Sequence, residues 1–127
     1  MAKSATFQRF LERQRRRLYT RYIYAKERVP PKAIAAVLYD RAARHWFVVT
    51  PAFSYDAGLW RVAYFDDRGP WSHSTSDFHG RPYWTKYEAI LDVLKSYARA
   101  RIVLYILPGG HRVEVGQALP KDVMMPN

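Results

Sequence analysis

The sequence predicts an α+β fold: an antiparallel β-sheet of about five strands with two helices packed against it, in the order α-β-β-β-α-β-β. Three observations carry this expectation. Segments 5–28 and 85–100 repeat apolar residues at helical spacing. Five short runs rich in Val, Ile, Tyr, Trp and Phe lie outside them, separated by turn residues. The chain has 127 residues, 49% of them hydrophobic, which suits one domain with a single core spanning 1–127.

The first helix is read over 5–28. At 100° per residue, Phe7, Leu11, Leu18, Tyr22, Ala25 and Val29 share one stripe, expected to face the core. Ser4 is the expected N-cap, and Pro30-Pro31 end the helix because proline lacks the amide donor. Arg9, Arg13 and Arg16 fall opposite the stripe, with Arg17 and Tyr24 beside them. Arg15, Arg21, Lys26 and Arg28 sit on the flanks, and Ile23 points outward. Together 1–30 form a basic amphipathic helix.

Three strands follow at 33–39, 45–50 and 59–65, joined by short turns and therefore expected as an antiparallel meander. In the third, Trp60, Val62 and Tyr64 share one face and Arg61 takes the other. Residues 66–84 form a long loop rich in Gly, Pro, Ser and Asp. The second helix, 85–100, opens on a Thr85/Glu88 capping box and buries Tyr87, Ile90, Leu91, Leu94, Tyr97 and Ala98. Residues 102–107 read as a buried strand, Pro108-Gly109-Gly110 as a turn, and 112–115 as the returning strand. The sheet and second helix thus occupy 33–119, and 120–127 is a loose tail. The first five elements repeat the order of double-stranded-RNA-binding domains. Of that family's lysine cluster at the start of the second helix only Lys86 is in place, and element order alone assigns no function.

Charge is the main functional signal. Residues 1–45 hold 12 basic and three acidic side chains, a net of +9 out of the chain's +10. Such asymmetry points to nucleic acid or another anionic surface. Most of the excess is arginine, whose planar guanidinium grips phosphate with two hydrogen bonds and stacks on bases. Arg9, Arg13, Arg16, Arg17 and Arg21 are expected to contact phosphates. Lys26, Arg28 and Lys32 extend that path, and Tyr24 offers a ring for stacking.

Other chemistry is weakly signalled. The 66–84 loop and its border hold Trp71, Phe78, Tyr83 and Trp84, read as rings capping the sheet. His73, Asp77 and His79, near Asp66 and Asp67, match no metal-ligand or acid–base spacing, so no metal and no catalytic residue is assigned. Ser72, Ser74 and Ser76 add hydroxyls without a partner that would activate one. The phosphate-cradling glycine loop, the helical zinc-protease motif and the nucleophile elbow are missing, and no cofactor is expected. With no cysteine there are no disulfides. No run of about 18 apolar residues exists, so no membrane span is expected. Arg or Lys interrupts every candidate signal-peptide core, and Glu12 and Glu27 argue against a mitochondrial presequence.

The sequence therefore reads as a small cytoplasmic module, more readily a binder than an enzyme, that holds DNA or RNA through its N-terminal helix. A protein-interaction module docking on an acidic surface is the first alternative, and a metal-dependent nuclease built on 66–79 the second. A membrane-surface role is disfavoured on one premise: that the core uses the apolar stripe.

Overall fold

A computed structural model describes residues 2–67 and 76–116. Its elements are α1 (Ala2–Arg28), β1 (Ala35–Asp40), β2 (His45–Pro51), β3 (Trp60–Phe65), β4 (Ser76–Asp77), α2 (Lys86–Ser96), β5 (Arg101–Ile106) and β6 (Arg112–Glu114). Single 3-10 turns stand at Ser54–Asp56 and Phe78–Gly80. All pairings are antiparallel, and the sheet order is β4-β3-β2-β1-β5-β6. The two helices and five expected strands are present in the expected order. The two-residue β4 is an addition, formed where the long loop returns to the edge of β3. The expected tail at 120–127 lies outside the described residues.

The sheet is buried on both faces. Towards the helices, Ala36, Leu38, Phe47, Val49, Val62 and Ile102 meet Ala25 of α1, Val29 just beyond its end, and Ala89, Ile90, Val93 and Leu94 of α2. Trp60 and Tyr64 pack on the same side as Val62, as strand alternation requires. On the other face Val37, Trp46, Val48, Phe65 and Leu104 form a second cluster, with the Tyr39 and Trp46 rings 4.4 Å apart.

Ile102 and Leu104 have the same parity yet belong to opposite clusters. The cause is a register shift: Val37 pairs with Leu104 but Leu38 pairs with Ile102. Val103 is the extra residue of a β-bulge, which flips the side-chain alternation within β5. A continuous apolar run such as 102–107 suits this arrangement, since both faces receive it.

α2 begins on Thr85, whose hydroxyl accepts from the Glu88 amide at 3.1 Å. The helix ends at Ser96 rather than 100, because Tyr97 leaves helical geometry and packs its ring 4.8 Å from Phe47. Its buried residues are Lys86, Ala89, Ile90, Val93 and Leu94; Leu91 is only half-buried and Ala98 is exposed.

α1 departs furthest from expectation. Ser4 lies inside it instead of capping it. Only its last two turns dock: Ala25 and Val29 are fully buried, while residues 5–20 are exposed apart from the half-buried Leu11. The stripe expected in the core thus leaves Phe7 and Leu18 in solvent. Ile23, expected to point outward, is half-buried. The 27-residue helix is about 40 Å long and stands clear of the body over most of that length.

Candidate nucleic-acid interface

The docked end of α1 is pinned by two hydroxyls. Tyr87 donates from its hydroxyl to the Val29 carbonyl at 2.6 Å, and the Ile102 amide donates to the Tyr24 hydroxyl at 2.8 Å. Lys86 closes the same junction from below. Its Nζ donates to the Pro31 carbonyl and, at 2.9 Å, to that of Ala33, between the Trp60 and Tyr87 rings. Burial, with help from the nearby Lys26 charge, pulls the Lys86 ammonium below the usual lysine range. The residue that matched the RNA-binding lysine cluster is therefore a buried structural clamp.

Arg9, Arg13, Arg16 and Arg17 fall within roughly a 100° arc of the helix circumference. All four are exposed. Neither they, Arg15 nor the half-buried Arg21 pairs with a carboxylate among the described residues. Five acids are engaged elsewhere: Glu27 with Arg28, Asp67 with Arg44, Asp77 with Arg61, and Glu88 and Asp92 with Arg81. Glu12 lies within a turn of Arg9, Arg13 and Arg16 and lines one hollow with them. With Glu12 the one acid among them, the arginines from Arg9 to Arg21 present a net positive field to solvent.

Where α1 passes the end of α2, the chain forms a cleft of about 380 Å³. Arg16, Arg17, Arg21 and Arg101 supply its charge; Leu94 and Ala98 supply an apolar floor, with Thr20 and Tyr24 between. Arg101 was not among the sequence candidates. Its guanidinium donates to the Ala98 and Ala100 carbonyls at 2.9 and 2.7 Å, which holds it beside the helix. Nothing local marks it, because only the fold brings residue 101 to α1.

The remaining candidates separate. Tyr24 lines the cleft, but its hydroxyl serves Ile102 and the Arg28 guanidinium lies 4.1 Å from its ring centre, so it is not an open stacking platform. Arg28 is correspondingly half-buried, bonded to the Tyr24 carbonyl and paired with Glu27 at 3.7 Å. Lys26 projects from the opposite side, 4.3 Å over the Tyr87 ring, and does not extend the arginine path. Lys32 is exposed in the turn before β1.

Among the described residues the histidine–carboxylate candidates do not converge. His73 lies outside the described residues. His79 is bonded through Nδ1 to Asp92 at 2.9 Å and stacks on Phe78 at 4.0 Å. Asp92 also accepts from the Tyr83 hydroxyl. Among the described residues no group of three His, Asp or Glu could hold a metal ion. Of the loop aromatics, Phe78 and Tyr83 are buried and cap the sheet, Trp84 is exposed, and Trp71 lies outside the described residues.

No protein-family model matches the chain, and no curated protein or solved structure shows significant similarity to it.

Proposed function

We propose that this chain binds nucleic acid through α1. The observation that carries the reading is the set of arginines without carboxylate partners, aligned on a helix that stands away from its own body. Successive i,i+4 positions rise about 6 Å along the helix, so Arg9, Arg13 and Arg17 track a phosphate backbone as a row. Arg16 broadens that row, and Arg21 with Arg101 ends it in the cleft. Most contacts would be to phosphate, which positions a protein without reading sequence. Affinity should therefore vary little among sequences.

The test is fluorescence anisotropy with random duplex and random single-stranded oligonucleotides, across about 50 to 200 mM salt. Neutralising about five phosphates gives a slope of log K on log salt of roughly −4 to −5. Absence of binding at the low end of that range overturns the reading.

A further inference from the structure

The apolar row of α1 changes partner along its length. Ala25 and Val29 are sealed in the core, but Phe7 is 59% exposed, Phe10 48% and Leu18 53%. Leu11 and Tyr22 complete the row, and Tyr19 stands at its edge with 66% exposure. From Phe7 to Tyr22 this is a strip about 22 Å long. Gln14 and Arg15 divide it into two patches, one of Phe7, Phe10 and Leu11 and one of Leu18, Tyr19 and Tyr22, and exposed apolar patches mark interaction sites. Polyanion binding by the arginine face does not account for it.

Charge decides what covers the strip. Arg17 and Arg21 border it on one side and Arg15 on the other. Of the two acids of the helix, Glu27 lies opposite the strip and Glu12 lies on its flank, beyond Arg15 and beside the edge residue Tyr19. A second copy would bring its own arginines onto the same borders, where like charges repel. The complement is an apolar layer overlaid by negative charge, which is the boundary between acyl chains and anionic headgroups. Arginine suits that depth, because its aliphatic stem lies along apolar surface while the guanidinium reaches outward. Tyrosine favours the same boundary.

We propose that α1 lies in the plane of an anionic lipid surface, with Phe7, Phe10, Leu11 and Leu18 inserted below the headgroups. No described helix is long and apolar enough to cross a membrane, so the attachment is peripheral. The inference rests on the apolar row and stands apart from the nucleic-acid reading. Since the two ligands share arginines, they compete.

The experiment is co-sedimentation of the full chain with phosphatidylcholine vesicles, with and without phosphatidylserine. Binding is expected only when phosphatidylserine is present. A Phe7→Gln/Phe10→Gln/Leu18→Gln variant should lose roughly two orders of magnitude in lipid affinity. Those side chains are exposed and glutamine sustains a helix, so circular dichroism should be unchanged. Oligonucleotide affinity should hold in the variant, which separates this proposal from the previous one. Equal lipid binding by the variant, binding to pure phosphatidylcholine, or binding to neither vesicle overturns the inference. A concentration-dependent dimer that the variant abolishes also overturns it, and gives the strip to a second copy.

Discussion

The backbone amide of Ile102 donates to the Tyr24 hydroxyl at 2.8 Å, joining the docked end of α1 to the start of β5 beside the Val103 bulge. The bulge interrupts the ladder there, and a side-chain oxygen takes up the amide. Ile102 is buried, so that donor has little access to water.

Tyr24→Phe keeps the ring and removes the acceptor. Stability should fall by about 1–3 kcal/mol, the cost of a buried unsatisfied amide. Urea denaturation measures it, and an unchanged midpoint would mean that another acceptor serves Ile102.

Replacing Arg13, Arg16 and Arg17 together by Ala should flatten the salt slope by roughly 2–3, equally for all oligonucleotide sequences. Arg101→Ala should lower it by about one. Lys26→Ala is the control: it lies across the helix from the row, and binding should not change. A triple variant with full affinity would place the contact on a different face.

Asp92 links the edge of the fold to pH. Burial raises its carboxyl pKa, but the hydrogen bonds from Tyr83 and His79, with the His79 and Arg81 charges, outweigh burial and hold it below the ordinary aspartate value of about 3.8. The unfolded chain therefore binds more protons just under that pH. The stabilisation is complete above about 3.8 and is lost as pH falls through the lower folded value. Asp92→Asn should remove that part of the acid dependence, read from urea midpoints across the acid range.

Ile90 and Leu91 are neighbours with different burdens. Ile90 is fully buried, and Ile90→Ala should cost about 2–5 kcal/mol. Leu91 is half-buried, and Leu91→Ala should cost clearly less. Equal thermal shifts would contradict the packing described for α2.

These contrasts show where sequence patterns carried the fold and where they failed. Strand and helix identities were legible because Pro30-Pro31, Thr85 and Pro108-Gly109-Gly110 punctuate the periodic runs. Periodicity also found the apolar stripe of α1, but it cannot say how far along a helix a core extends. The body ends near Tyr24, so Leu18 and Phe7 stay wet although they share the phase of Ala25 and Val29. The opposed position of Lys26 was readable from helical phase alone. Arg101 was not, since its place beside Arg17 and Arg21 depends on tertiary structure. Tyr24 misled because a ring beside arginines looks like a stacking platform until its hydroxyl is accounted for.

The long overhang of α1 has a mechanical consequence. Tertiary packing supplies most of a helix's stability in folded proteins, and short isolated helices in water are marginal. The turns between Phe7 and Thr20 lack that support, so they behave as a cantilever whose stiffness comes from local propensity and whatever loads it. Engagement along its length would stiffen the beam, and part of the binding energy would be spent on that ordering.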